Sequence, residues 1–149
     1  LNATVTKAKT GERKVLAEWK HNLLTNGGRD AFHALVYTNT SAGTRGYGYI
    51  ASTESSISPT AGDTTLTGEI STNGLARADA TTKSHSAGTN TTLVEHTFTA
   101  SGAFTDVKAS ATFVAASAGT MGHIANFSTG SGTLATNDTL KISWTLNLG

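Results

Sequence analysis

No cysteine occurs in this chain of 149 residues, so disulfide cross-links and thiolate chemistry are excluded. Charge is scarce: 11 Lys and Arg stand against 10 Asp and Glu, a formal net charge of +1. That balance carries neither the basic footprint of a nucleic-acid binder nor an acidic solvating tail. The few cations are scattered, apart from Lys7, Lys9, Arg13 and Lys14, which read as a solvated strand pair and turn. No apolar run is long enough to cross a bilayer, and no secretory pattern precedes the first expected strand. Neither nucleic acid nor membrane is therefore expected as a partner. The chain starts at Leu1 rather than at a methionine, which is compatible with residues removed from, or standing before, that point.

Polarity is carried instead by Thr, Ser, Asn and Gly. Threonine suits the pleated surface of a strand because it branches at Cβ, and Gly, Asn and Ser suit turns. With 16 Gly and one Pro, the composition reads as many short strands joined by turns. The length fits one domain, residues 1–149, with a real core. The expected fold is all-β: an antiparallel β-sandwich, jelly-roll-like, with one short helix.

The C-terminal stretch TLKISWTLNLG is the clearest strand. Leu140, Ile142, Trp144, Leu146 and Leu148 alternate with Thr139, Lys141, Ser143, Thr145 and Asn147, so one face is packed and the other exposed. Residues 3–8 and 14–21 read as a hairpin around Thr10-Gly11-Glu12. Further strands are expected at 47–52, 75–85, 91–99, 104–115 and 121–127, with hairpin loops at 86–90 and 117–120. Val94, His96 and Phe98 share one face of the third of these.

The stretch HNLLTNGGRDAFHALVYTN, residues 21–39, resembles a site, because two histidines, an arginine and an aspartate gather around Gly27-Gly28. Its spacing favours a helix over residues 27–38. Thr25 or Asn26 can cap it, Asp30 suits its first turn, and Ala31, Phe32, Leu35 and Val36 form an apolar stripe. That stripe is expected to face the core, with Arg29 and His33 off it, toward solvent or a groove edge. Arg29 and Asp30 are adjacent, so they point about 100° apart on a helix and do not converge on one substrate. The reading is a helix closing an open end of the β-core.

Other chemical signals are weak. Gly46–Ala51, GYGYIA, matches a dinucleotide fingerprint in letters only, because here it lies in a strand rather than between a strand and a helix. Its glycines are expected to relieve crowding beside Tyr47 and Tyr49, or to mark a bulge. His21, His33, His85, His96 and His123 contain no metal-ligand pair spacing. Asp63, Glu69, Asp79, Glu95, Asp106 and Asp138 are equally dispersed, and an Asx-type turn accounts for Asp138. No nucleophile elbow is present. No catalytic residue, cofactor site or metal site is expected, and the chain is not expected to be an enzyme.

Four segments carry a resemblance: HNLLTNGGRD (21–30), YIASTESSISPTAGDTTLTGEI (49–70), GLARA (74–78) and the terminal GTLATNDTLKISWTLNLG. In this order they resemble a family of small tailed-bacteriophage virion proteins, over about residues 19–149. The chain departs from the family's pattern at DVKASATFVAAS (106–117), where small residues stand in place of charged edges. The resemblance implies a virion structural protein, most simply a capsid decoration (cement) protein on the outer surface of the head. Its implied partners are the major capsid protein and two further copies in a homotrimer, assembled in the host bacterial cytoplasm. The alternative is a tail-fibre or baseplate β-domain that recognises host glycans.

Two physical readings accompany it. Ser58-Pro59 sets a turn, Asp63 caps the segment 64–70, and Leu66 and Ile70 pin that segment to the core. Residues 1–9 are expected to form an arm or edge strand that reaches a neighbour. The candidate contact residues are Leu1, Asn2, Thr4 and Lys7 on the arm, with Tyr37, Tyr47 and Tyr49 as candidates for the exposed aromatic rim that glycan recognition would need, although core or interface packing is the favoured reading of these tyrosines.

Overall fold

Alternation governs the C-terminal half of the chain. Thr91–Thr99 and Thr139–Asn147 form nine-residue strands that pair antiparallel from Thr91↔Asn147 to Thr99↔Thr139 without a register shift. The computed structural model describes residues 3–6, 13–17, 25, 27, 32–38, 46–127 and 132–147. In chain order its strands are β1 (Ala3–Thr6), β2 (Arg13–Ala17), β3 (Tyr49–Thr53), β4 (Ala78–Asp79), β5 (Thr82–His85), β6 (Thr91–Thr99), β7 (Ala109–Phe113), β8 (Met121–Asn126) and β9 (Thr139–Asn147). They make a four-stranded sheet of order β4-β3-β7-β8, a three-stranded sheet of order β5-β6-β9, and the ribbon β1-β2. All pairings are antiparallel. The all-β sandwich with one short helical piece is the fold expected from the sequence.

The two larger sheets enclose the main core. Ile50 on β3 meets Val94 and Phe98 on β6 and Ile142 and Leu146 on β9, and Leu75, Phe104, Val107 and Leu134 fill from the connections. A second core lies on the outer face of the four-stranded sheet, where Tyr49, Ala51, Ala111 and Phe113 are covered by Leu66, with Ile57 packed against them. Every residue of β3 and β7 is therefore buried. The small residues of 106–117 fit this position, since a strand packed on both sides has little room for bulk.

Residues 54–77 form the lid over that outer face. Leu66 and Ile70 are buried, as the sequence suggests, and Ile70 N–H donates to the Ser52 carbonyl at 2.9 Å. Asp63 acts differently from expectation. Its carboxylate accepts from both the amide and the hydroxyl of Thr60 at 2.9 Å, so it closes the turn behind it rather than capping the segment ahead.

The expected strand 75–85 divides into β4 and β5, which belong to different sheets. The break is a corner: Ala80 N–H donates to the Gly48 carbonyl at 2.8 Å, after which the chain crosses to β6. Asp138 sits in a turn as expected, but like Asp63 it closes the turn behind it, its carboxylate accepting from Ala135 N–H at 2.7 Å next to Asn137 at φ 74°, rather than forming an Asx turn ahead.

The helical piece forms inside the expected range, with Ala34–Thr38 wound as a π-helix, but its inward face differs from the expected stripe. Val36 packs against the core as expected, yet Phe32 and Leu35 are 53% and 55% exposed, whereas His33 and Tyr37 are 0% and 4% exposed. Inside, His33 has the Thr92 hydroxyl and the His85 ring, and Tyr37 has the rings of His33 and His123, contacts that outweigh the rest of the apolar stripe read from spacing. Arg29, Asp30 and Ala31 lie outside the described residues.

Candidate functional site

Polar and aromatic side chains converge at one end of the space between the sheets. The helical turn delivers His33 and Tyr37, β5 delivers His85, β8 delivers His123 and β9 delivers Trp144, while Tyr47 comes from the approach to β3. His33 and His85 stack with ring centres 4.1 Å apart and planes 11° apart. Tyr37 lies 5.8 Å from His33 and 6.0 Å from His123. His123 in turn meets Tyr47 edge-on at 5.8 Å and Trp144 at 6.1 Å.

Local sequence explains how these rings fit. Tyr47 N–H donates to the Val36 carbonyl at 2.9 Å, and a side chain at Gly46 would strike that carbonyl at 2.1 Å. Gly122 leaves room for the Tyr47 ring, which a Cβ there would meet at 2.3 Å. The glycines around GYGYIA thus permit close approach of backbone and ring, as the strand reading of that motif requires.

The imidazoles are held by neutral partners. His33 Nδ1 is paired with the Thr92 hydroxyl, His85 Nδ1 meets the Thr91 carbonyl at 2.8 Å, and His123 Nδ1 meets the Thr112 hydroxyl at 2.8 Å. Burial without a compensating anion pushes the His123 pKa below its ordinary value, because a charged ring loses hydration there. Burial, then the nearby Tyr47, pushes the Tyr37 phenol upward. Trp144 Nε1–H donates to the Ser110 hydroxyl at 3.2 Å. Face-to-face stacking directs the ring nitrogens of His33 and His85 outward in parallel planes, not toward a common point. Among the described residues, no group of three or more His, Asp or Glu side chains converges as a metal shell. Its rings pack against one another, and burial favours the neutral form of His123.

The carboxylates are engaged elsewhere. Glu69 pairs with Arg77 through two bonds of 2.8 and 2.5 Å. The guanidinium also lies 3.4 Å from the Phe113 ring centre and donates to the carbonyls of Ala115 and Ala118 at 3.1 and 2.6 Å. Glu54 accepts from the amides of Thr105 and Asp106 and from the Thr105 hydroxyl. These bonds, the Asp106 amide first, hold its pKa below the usual carboxylate range. Glu95 takes Ser143 and Lys141 at 2.6 and 3.0 Å. Each is a clasp between segments.

Of the candidate contact residues, Tyr37 and Tyr49 are buried and Tyr47 is half-buried, so these rings form no exposed aromatic rim. Thr4 lies on β1, while Leu1, Asn2 and Lys7 fall outside the described residues. His21 does as well. The meeting of His33, His85 and His123 was not visible in the sequence, since it depends on three segments far apart in the chain. The period-two face carrying Val94, His96 and Phe98 was the nearest available signal. The exposed surface has shallow, hydroxyl-lined depressions, such as that bounded by Ser56, Ser58, Asp63, Thr64, Thr65 and Thr67. No protein-family model matches the chain, and no curated protein or solved structure gives a match to it.

Proposed function

We propose that this chain is a bacteriophage virion structural protein without catalytic activity: a capsid decoration protein that binds the outer surface of the icosahedral head. In this reading its partners are the major capsid protein and two further copies of itself, and it joins the particle in the host cytoplasm. The four sequence blocks resembling tailed-phage virion proteins bring the virion role to this chain. The observation that supports it most is where the reactive side chains go. Histidines and tyrosines pack between the sheets, and carboxylates clasp loops, leaving a surface of Thr, Ser and Asn on a rigid frame. Short polar side chains lose little conformational entropy at a contact.

The mechanism is linkage. A protein that binds assembled shell and not free subunits stabilises the shell by about 2.7 kcal/mol per site at a hundredfold excess over Kd. Three linked contacts in a trimer multiply the effect through effective concentration. Adding the purified protein to expanded, undecorated heads tests this directly. Saturable binding and a raised melting temperature of the heads are expected. Heads that melt unchanged and bind no protein overturn the reading, and a positive glycan array alongside them transfers the chain to the tail-fibre class.

A further inference from the structure

β9 is the edge of its sheet, and its outer side is unpaired by any strand among the described residues. Ala100 N–H donates to the Asp138 carbonyl at 2.8 Å. Carrying the antiparallel alternation up from that bond assigns Leu140, Ile142, Trp144 and Leu146 to the β6 ladder. Thr139, Lys141, Ser143, Thr145 and Asn147 then direct their amides and carbonyls to the open side. This edge is nine residues long, carries no proline and has no shift in its ladder with β6. It has only Lys141 as a guarding charge, and that lysine is already engaged by Glu95 at 3.0 Å. Long, regular, lightly charged edges accept added strands. The opposite edge strand near it, β8, pairs with β7 through an irregular register at Thr112/Phe113, which makes it the poorer template.

The second half of the pairing is the β1-β2 ribbon. Its strands have four and five residues, and among the described residues it shares a ladder with neither larger sheet. A two-stranded ribbon this short is marginal alone and is stabilised by joining a wider sheet. β2 opens with two cationic residues, Arg13 and Lys14, whereas β1 reads Ala-Thr-Val-Thr and carries no charge.

We infer that β1 of one copy adds to the free edge of β9 in a second copy of this chain, extending the three-stranded sheet across the interface. Donor and acceptor are different surfaces, so the contact is head-to-tail, giving a ring where its rotation closes and an open filament where it does not. The inference stands on the two edges and does not require the virion reading.

Two measurements on the full chain test it. Thr145→Pro deletes one outward amide and no β6 ladder bond, so the fold survives, as checked by circular dichroism. The mass in light scattering is expected to fall from that of an assembly to that of one chain, while Thr145→Val, which keeps the amide, stays associated. The absence of native cysteine makes a second measurement clean. Val5→Cys and Thr145→Cys proteins, mixed and oxidised, are expected to give a disulfide between copies. A wild-type chain that remains monomeric at millimolar concentration overturns the inference. So does association that Thr145→Pro leaves intact, or a Val5→Cys/Thr145→Cys double variant that closes its disulfide within a single chain.

Discussion

The four-stranded sheet has two buried faces of opposite chemistry. Its outer face sets Tyr49, Ala51, Ala111 and Phe113 beneath Leu66, and the Arg77 guanidinium lies over the Phe113 ring. Its inner face turns Ser52, Ser110, Thr112 and His123 toward the second sheet, with Ile50 as the large apolar side chain. The outer face thus relies on volume, whereas the inner face pairs Thr112 with His123 and Ser110 with Trp144 and leaves the Ser52 hydroxyl unmatched among the described residues. Burial is a property of position in the layers, and hydroxyl-bearing side chains occupy it most readily where they find a partner.

The largest way to break this comparison is on the outer face. Phe113→Ala empties the space under Leu66 and removes the ring beneath Arg77; a loss of about 3–5 kcal/mol is expected in chemical denaturation. A loss below about 1 kcal/mol would mean that the lid contributes little. On the inner face, Thr112→Val keeps the shape and deletes the hydroxyl that meets His123. The expected cost is about 1–2 kcal/mol, from the partner left unmatched in a buried setting. A more stable variant would show that the inner hydroxyls are merely tolerated.

The smallest expected effect is with pH. His123 has its pKa lowered by burial, so between that value and the ordinary 6.5 the unfolded chain binds more protons than the folded one. Stability is then complete above the ordinary value and declines as pH falls through the folded pKa. Thermal melts across that acidic window should show a decline that His123→Gln makes shallower. An identical slope in the variant would assign the acid sensitivity to other groups.

Strands that alternate are the ones the sequence declares. β9 has one wet and one dry face, and Leu140 to Leu146 mark it in the letters alone. β6 is bounded as read, and so is the turn before it, whereas the connection after β7 starts at Val114 rather than at Ser117. β7 is less legible because both of its sides are packed, so Ala-Ser-Ala-Thr shows no period and is read as part of a longer strand. The corner at Ala80 is hidden for a related reason: residues on either side of it look equally strand-like, and only the partners, Gly48 on one sheet and β6 on the other, separate them.

The helical turn failed differently. Phe32 and Leu35 are its most apolar residues and still face outward, because His33 reaches the Thr92 hydroxyl and the His85 ring, and Tyr37 packs beside His123. Hydrophobic spacing does not register a polar side chain that finds its partners inside. The same blindness concealed the histidine cluster, whose members lie on different elements and share no local pattern.

β3 and β7 lie side by side, with a neighbour on each flank and cover above and below. A solvent deuteron reaches their amides only when the sheet itself comes apart. Exchange at β7, paired on both flanks by β3 and β8, therefore proceeds no faster than the rarest opening of the molecule, and its protons serve as an internal clock for complete unfolding, insensitive to fraying at the ends.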